Sequence, residues 1–331
     1  MQRFVNNPDF IVDDMLKGLV KANPEIRFSE ENDHVISMKE MKKGKVGLIT
    51  GGGSGHEPAF VGYLGDGMLD SVAIGEVFAS PPALAFYDAI VDADQGEGVA
   101  VLFGNCAGDN MNVKMAVQMA EDDDIEVKYV VANDDVASAP KAVKEQRHGI
   151  AGGFFMWKVG GARAAKGGNL DAVIASAQNV VSRTKSICVG LEPCVIPALG
   201  HSNFKIEDGM MEFGVGHHGE AGTKVEELKS ASEIAQEMAE TILNDFDFEE
   251  GKEVAVMLSG LGATPVMELY VLYDEVEKVL AKAGHKVWKT YIGNYVTSLD
   301  MNGASLTIVD LDDEIKELLS EPAAPIGMKN Y

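Results

Sequence analysis

Apolar runs of strand length alternate along this chain with segments whose apolar residues repeat at helical spacing. The first half has strand-like runs at 46–50, 98–104 and 126–131, and Met, Val and Ala recur at helical spacing over 111–119. Runs of Val and Ile without polar alternation are typical of strands that are covered on both faces. The alternation therefore predicts an α/β domain with a largely parallel sheet.

A second set of elements follows the Ala- and Gly-rich stretch 149–181, which has helical periodicity. The chain turns polar over 179–185, and we place the domain boundary there. The later pattern predicts strands at 186–190, 253–258, 286–292 and 305–309, and helices at 232–243 and 265–283. We therefore expect two α/β domains, 1–183 and 184–331, each built on a largely parallel or mixed sheet flanked by helices.

Composition narrows the classes of partner and compartment. The 331 residues are 46% hydrophobic and carry a formal net charge of −24, which argues against nucleic acid or an anionic membrane as a partner. The cysteines, Cys106, Cys188 and Cys194, form neither a CxxC pair nor a zinc-ligand spacing. The N-terminus does not resemble a signal peptide, and no apolar run approaches the ~20 residues of a membrane span. We expect a cytoplasmic protein.

A glycine-rich segment with an embedded histidine, 51–58 (GGGSGHEP), follows the first predicted strand. Consecutive glycines let backbone amides approach a ligand closely, and a histidine such as His56 can act as a general base near neutral pH. The segment lacks the Gly-Lys-Ser/Thr of a Walker loop and the glycine spacing of a dinucleotide fingerprint. The alternative interpretation is a structural turn.

Two further strand ends carry polar or glycine-rich segments. Asp109 lies in 104–109 (GNCAGD) after the second predicted strand, where a polar substrate is expected in an open α/β sheet; it can equally be the N-cap of the next helix. The segment 259–265 (SGLGATP) joins a strand to a helix and is interpreted either as an anion site or as a tight connection.

Two adjacent histidines lie between glycines in 214–222 (GVGHHGEAG), in a chain with seven histidines. Neighbouring residues rarely point at one ion, and no HExxH motif or carboxylate cluster of ligand spacing accompanies them. A neutral imidazole held in a tight loop can instead be a nucleophile. The remaining alternative is a turn with solvated histidines.

Together these four segments resemble the dihydroxyacetone-binding subunit of dihydroxyacetone kinases. The resemblance covers nearly the whole chain in the expected order, and further markers are 81–83 (PPA), 149–152 (GIAG), 190–192 (GLE) and 294–300 (NYVTSLD). It implies a two-domain α/β subunit that forms a homodimer.

The resemblance also implies roles for individual residues. His218 matches the histidine that forms a hemiaminal with the substrate ketone, and His56 matches the base for the hydroxyl that is phosphorylated. Asp109 matches a carboxylate that is hydrogen-bonded to the substrate. The loop that surrounds the substrate is matched by Gly53, Ser54 and Gly55. Covalent capture makes chemical sense because a three-carbon ketone offers few atoms for selective binding, and capture fixes the reacting hydroxyl.

The sequence ends soon after the last matching segment, so we expect it to lack the helical nucleotide-binding domain of single-chain members. This implies a separate ADP-carrying subunit, recharged by a phosphoryl donor protein of the phosphoenolpyruvate phosphotransferase system. We accordingly expect no cofactor or metal in this chain, and ADP and magnesium on the partner subunit.

The chain departs from the family at three positions, Gly104, Cys106 and Trp157. Members often have a lysine and an aromatic residue at the first two and a histidine at the third. The space left by the missing lysine favours a related short ketose, such as a four-carbon one, as an alternative substrate. Some relatives sense dihydroxyacetone as transcriptional co-activators without kinase activity, and this is the alternative function.

Overall fold

The computed structural model describes residues 2–202, 204–247 and 251–328. The strands in chain order are β1 Ile26–Phe28, β2 Val35–Met38, β3 Gly47–Ser54, β4 Gly65–Asp66, β5 Ser71–Val77, β6 Val99–Gly104, β7 Val127–Ala132, β8 Thr184–Glu192, β9 Met210–Phe213, β10 Lys224–Glu227, β11 Glu253–Gly260, β12 Lys286–Gly293, β13 Asn302–Asp310 and β14 Ala324–Pro325. The α-helices are α1 Ile11–Ala22, α2 Ala83–Ala93, α3 Ala107–Asp122, α4 Gly153–Ala165, α5 Leu170–Ser182, α6 Ala231–Asp245, α7 Val266–Lys282 and α8 Asp313–Ser320.

The chain folds into two compact units that exchange segments. Unit 1 comprises Met1–Ala132, Gly153–Val181 and Glu314–Tyr331, and unit 2 comprises Asn133–Gly152 and Ser182–Asp313. The expected boundary between 183 and 184 lies next to the change of unit at 181/182. The expected division did not include two segments that belong to the other unit: 133–152 precedes the boundary but lies in unit 2, and 314–331 follows it but lies in unit 1. We call these the exchanged segments.

Hydrogen bonds explain why these segments join the units that they do. In unit 2 the side-chain carboxylate of Asp134 accepts hydrogen bonds from the backbone N–H groups of Ile150 (3.0 Å) and Gly152 (2.8 Å). The backbone carbonyl of Asp134 accepts one from the N–H of Ser186 on β8. In unit 1 the buried Lys158 donates to the carbonyls of Leu318 (3.0 Å) and Glu321 (2.8 Å) and so fixes the C-terminal end of α8.

The sheet of unit 1 has the order β1-β2-β5-β3-β6-β7. Strands β5, β3, β6 and β7 are parallel to one another, whereas β2 pairs antiparallel with both β5 and the edge strand β1. Helices α2 and α3 contribute Phe86, Ile90 and Val113 to its core. Helix α4 is buried over most of its length, and a Cβ at Gly160 would lie 2.8 Å from Leu102 of β6, so the helix packs closely on the sheet.

The sheet of unit 2 is mixed, with the order β10-β9-β8-β13-β11-β12. Only the β11–β12 pair is parallel among the described pairings of this sheet, and the others are antiparallel. Helices α6 and α7 lie on this sheet and bury Met238, Ile242 and Leu269 with its strands. The predicted class, two α/β units on parallel or mixed sheets flanked by helices, is confirmed.

None of the helices in the described part of the chain is both long enough and apolar enough to cross a membrane.

Candidate functional site

The glycine-rich segment begins inside β3 and not after it. The sequence indicated a loop from Gly51, but the strand continues to Ser54. Its glycines make room for neighbours: a Cβ at Gly51 or Gly52 would overlap the ring of Phe86 or Phe60. The Ser54 hydroxyl donates to the carbonyl of Gly75 on β5 (2.8 Å). The glycines therefore let aromatic side chains reach the end of the central strand.

His56 is held between aromatic rings directly after β3. Its side chain is 3% exposed and stacks on Phe78, with ring centroids 5.2 Å apart and planes at 25°. Phe60 meets it edge-on at 6.0 Å, and Trp157 of α4 meets Phe60 at 5.6 Å. Phe78 has φ 58°, a conformation that is unfavourable for a large side chain. This backbone conformation brings the Phe78 ring over the imidazole.

Glu57 closes the turn around His56. Gly55, with φ 101°, donates its N–H to both carboxylate oxygens of Glu57 at 3.1 Å. Burial raises the pKa of the Glu57 carboxyl, while the backbone N–H groups of Glu57 and Gly55 act in the opposite direction. The carboxylate thus organises the backbone of the loop.

Asp109 lies in the first turn of α3 and is 6% exposed. The helix begins at Ala107 with Cys106 at its N-cap position, so the interpretation of Asp109 as the N-cap is wrong. A carboxylate in the first turn is favoured by the helix dipole. Because β3 and β6 are parallel neighbours, the segments that carry His56 and Asp109 leave the same edge of the sheet.

Gly104, Cys106 and Trp157, the positions that depart from the resemblance, lie in unit 1. Trp157 is buried and its indole N–H donates to the carbonyl of Leu102 (3.0 Å). Gly104 is the last residue of β6. The Cys106 thiol lies 4.0 Å from the hydroxyl of Ser80.

The histidine pair of unit 2 lies in a tight loop between β9 and β10. Gly214 and Gly219 have positive φ values of 79° and 82°, and Gly219 donates its N–H to the carbonyl of Gly216 (3.1 Å). The His218 side chain is 34% exposed, whereas His217 is 6% exposed. The two imidazoles are therefore in different environments, which does not fit a shared metal ion.

Burial determines the state of His217. Desolvation is the main cause that lowers the pKa of this imidazole from 6.5 to about 4, and the neighbouring His218 adds to it. The ring is neutral at pH 7. Its backbone carbonyl accepts a hydrogen bond from the hydroxyl of Ser298, which lies in the 294–300 segment that served as a marker of the resemblance.

The 259–265 segment is a connection that supports this arrangement. The Ser259 hydroxyl accepts the N–H groups of Tyr295 (2.9 Å) and Val296 (3.1 Å), and so fixes the segment that bears Ser298. Gly262, with φ 124°, approaches the carbonyl of Leu299 so closely that a Cβ would overlap it. These contacts favour the interpretation of 259–265 as a tight connection.

Glu220 is the partner of His218, and sequence reasoning assigned it no role. One carboxylate oxygen lies 2.9 Å from His218 Nδ1, and the other accepts the His218 backbone N–H at 2.9 Å. Burial acts to raise the pKa of Glu220, but the hydrogen bonds and charge of His218 outweigh it and lower the pKa to about 2. The spacing His-x-Glu in a glycine-rich loop was the available signal.

Two buried aspartates behind this loop also escaped sequence reasoning. Burial, together with the charge of Asp134, raises the pKa of Asp135 to about 7. Burial and the carboxylates of Asp135 and Asp134 raise the pKa of the Cys188 thiol well above its ordinary value. This thiol is a poor nucleophile, because reactivity requires the thiolate.

Across residues 2–202, 204–247 and 251–328, no group of three or more His, Cys, Asp and Glu side chains is placed to hold a metal ion. The side chains that can carry out chemistry are instead two histidines, which belong to separate units. His56 in unit 1 accompanies Gly53, Ser54, Gly55 and Asp109 at one sheet edge. In unit 2 His218 is hydrogen-bonded to a carboxylate.

A model of the Dak1 domain matches residues 17–326. The chain belongs to the Dak1 domain family. One relative is the dihydroxyacetone-binding subunit of a PTS-dependent dihydroxyacetone kinase of Listeria innocua. It is 40% identical to this chain over 95% of this chain and 95% of its own length. The D-erythrulose kinase of Mycolicibacterium smegmatis is 36% identical over 98% of this chain and 56% of its own length.

A solved structure extends the comparison to a regulatory protein. The dihydroxyacetone kinase operon co-activator superposes on this chain with a TM-score of 0.90 and 30% identity, over 96% of this chain and 98% of the co-activator. This chain is therefore similar both to proteins that are named as kinases or kinase subunits and to a protein that is named as a regulatory co-activator.

Proposed function

We propose that this chain is the substrate-binding subunit of a phosphoenolpyruvate-dependent dihydroxyacetone kinase. It binds dihydroxyacetone, or a closely related short ketose, as a hemiaminal on His218. An ADP-carrying partner subunit, recharged by a phosphotransferase-system donor, phosphorylates the bound ketose. The observation that carries the proposal is the His218 imidazole, which is part-exposed in a glycine-walled loop and hydrogen-bonded to an ionised carboxylate.

The capture step follows from that arrangement. The Nε2 lone pair forms a bond to the carbonyl carbon, and the π electrons of the C=O bond move to its oxygen, which takes up a proton. The proton on the oxygen comes from water; the ring keeps its Nδ1 proton, hydrogen-bonded to the Glu220 carboxylate, and carries the positive charge, so atoms and charge balance. A polyol such as glycerol has no carbonyl group and is not captured.

The residues of unit 1 are proposed to act in transfer. His56 is the base for the hydroxyl that is phosphorylated, and Asp109 is a hydrogen-bond partner of the ketose. The backbone of Gly53, Ser54 and Gly55 surrounds the substrate. Support comes from the burial of His56 between aromatic rings, which fixes its position, and from the location of Asp109 at the same sheet edge.

Isotope-labelled substrate tests the proposal directly. On addition of dihydroxyacetone labelled with ¹³C at C2, the carbonyl signal is expected to be replaced by that of a saturated carbon bearing oxygen and nitrogen. His218→Ala removes this signal, and a crystal structure shows continuous density from Nε2 to C2. Density for an unlinked ketone beside His218 contradicts the proposal.

Reconstitution distinguishes the kinase subunit from a ketose-sensing co-activator, which the structural similarity to the operon co-activator favours as a second candidate. The purified chain with Mg-ATP is expected to form no ketose phosphate. Addition of an ADP-loaded nucleotide-binding subunit and a phosphohistidine donor restores turnover for the kinase subunit. A co-activator captures the ketose but does not turn it over in the reconstituted system.

A further inference from the structure

The carboxylate of Glu220 holds both the side chain and the backbone of one residue. Oε1 lies 2.9 Å from Nδ1 of His218, and Oε2 accepts the N–H of His218 at 2.9 Å. The Glu220 carbonyl also accepts the N–H of Gly216 at 2.9 Å. The His218 ring cannot turn about its side-chain bonds without breaking a contact to the same carboxylate.

Glycine at 216 is part of this arrangement. A Cβ at that position would overlap Glu220 Oε2 and would lie 2.8 Å from the Glu220 Cβ. Contacts below 3.0 Å with a Cβ atom do not relax by rotating the end of a side chain. The chain therefore has glycine where the carboxylate has to pass.

An ionised carboxylate is an acceptor only. Because the pKa of Glu220 is lowered to about 2, the carboxylate is ionised at neutral pH. In the neutral form of the ring, Nδ1 must then be the protonated nitrogen, and the lone pair is on Nε2. In free histidine the opposite tautomer, with the proton on Nε2, is the more stable one.

We propose that Glu220 is a positioning residue that selects the Nδ1–H tautomer of His218, so that Nε2 is the atom that attacks the ketone. The inference rests on the proposed capture step. It adds a second role: the carboxylate stabilises the positive charge that develops on the ring as the Nε2–C bond forms, as the buried aspartate does in a Ser-His-Asp triad.

The variant Glu220→Gln separates orientation from packing, because its shape is nearly the same. Both partners of the carboxylate are donors in the wild type. The single amide oxygen of glutamine has to accept the backbone N–H of His218, which leaves the NH₂ group facing Nδ1. That nitrogen then becomes the acceptor, and the proton moves to Nε2. The substitution is expected to reverse the tautomer.

Two measurements test the inference. Long-range ¹H–¹⁵N spectra of the ligand-free protein are expected to show protonated Nδ1 for His218 in the wild type and protonated Nε2 in Glu220→Gln. Titration with C2-labelled dihydroxyacetone is expected to show adduct formation weakened about tenfold or more, since a charge-assisted hydrogen bond is lost. Glu220→Asp, which keeps an acceptor-only group, restores the Nδ1–H form.

A matched control removes the same charge elsewhere in unit 2. Glu207→Gln breaks only the exposed ion pair with Lys205 (2.6 Å) and is expected to leave both the tautomer and the adduct unchanged. An unchanged tautomer in Glu220→Gln with affinity within about twofold of the wild type overturns the inference. If that variant does not fold, a wild-type His218 with protonated Nε2 overturns it instead.

Failure of the capture chemistry has a different signature. If the wild type forms no adduct with labelled ketone, the proposed function is wrong, and the tautomer spectra of the ligand-free protein still report on Glu220. If the wild type forms the adduct and Glu220→Gln forms it equally well, capture stands and the positioning role falls.

Discussion

His217 is expected to make the protein less stable as the pH is lowered from about 6.5 to about 4. Its imidazole is 6% exposed, and burial lowers its pKa from 6.5 to about 4. Between these values the unfolded chain binds a proton that the folded chain does not. The stabilising contribution is therefore complete above the unfolded pKa and decreases as the pH falls toward the folded one.

The size of the effect follows from the two pKa values. A difference between 6.5 and about 4 corresponds to about 3 kcal/mol, and at about pH 4.5 about 2.5 kcal/mol of it is expressed. Other groups also titrate in this range, and Asp135, with its raised pKa, acts in the opposite direction. The comparison must therefore be between the wild type and a variant in which only His217 no longer titrates.

Urea unfolding at about pH 7.5 and about pH 4.5 provides that comparison. His217→Gln is expected to be less stable than the wild type at the higher pH, because packing is lost. Its deficit is expected to shrink by about 2.5 kcal/mol at the lower pH. His201→Gln, which replaces an exposed histidine in the same unit, measures what the loss of an imidazole does by itself. Parallel pH dependence of the wild type and His217→Gln would refute the reasoning, as would NMR titration of this ring near 6.5.

Three further variants address the histidine environments. His56→Ala is expected to keep adduct formation with labelled ketone but to lose most turnover in the reconstituted kinase; near-wild-type turnover shows that His56 is not the base. Phe78→Gly is expected to reduce turnover about tenfold, because the stacked ring is lost while glycine accepts the φ of 58°, and Phe78→Tyr is the control that keeps the stack. Gly216→Ala is expected to weaken adduct formation about tenfold by displacing Glu220. Gly18→Ala in α1, where a Cβ meets nothing within 4 Å, is expected instead to stabilise the protein by about 0.5 to 1 kcal/mol.

Periodicity predicted the elements whose pattern is local. The apolar run at 253–258 became β11, and helical spacing at 265–283 became α7, within two residues at each end. The prediction ended strand β3 too early because glycines are typical of loops. These glycines lie in a strand because the side chains of Phe60 and Phe86, which are distant in sequence, occupy the space beside them. Such contacts have no signature in the sequence around residue 51.

The exchanged segments show the same limit. A polar stretch near residue 183 marks a change of unit, but nothing near residue 133 has an unusual composition. The decisive contacts are those of the Asp134 carboxylate with the N–H groups of Ile150 and Gly152, sixteen and eighteen residues away. Lys158 similarly fixes carbonyls about 160 residues away. Long-range hydrogen bonds to backbone groups depend on the folded geometry and not on local pattern.

The two histidines were both found from glycine-rich sequence, and their surroundings differ in a way that fits the different roles proposed for them. Aromatic faces fix the position of His56 and add no charge, whereas an ionised carboxylate fixes His218 and adds a negative one. A nucleophilic ring gains positive charge as it attacks, so an adjacent anion lowers the barrier to capture. A general base depends first on its distance and direction from the proton that it removes, which rigid packing supplies. Exchanging the two environments would place the anion where it does not help capture, so the roles proposed for His56 and His218 are not interchangeable.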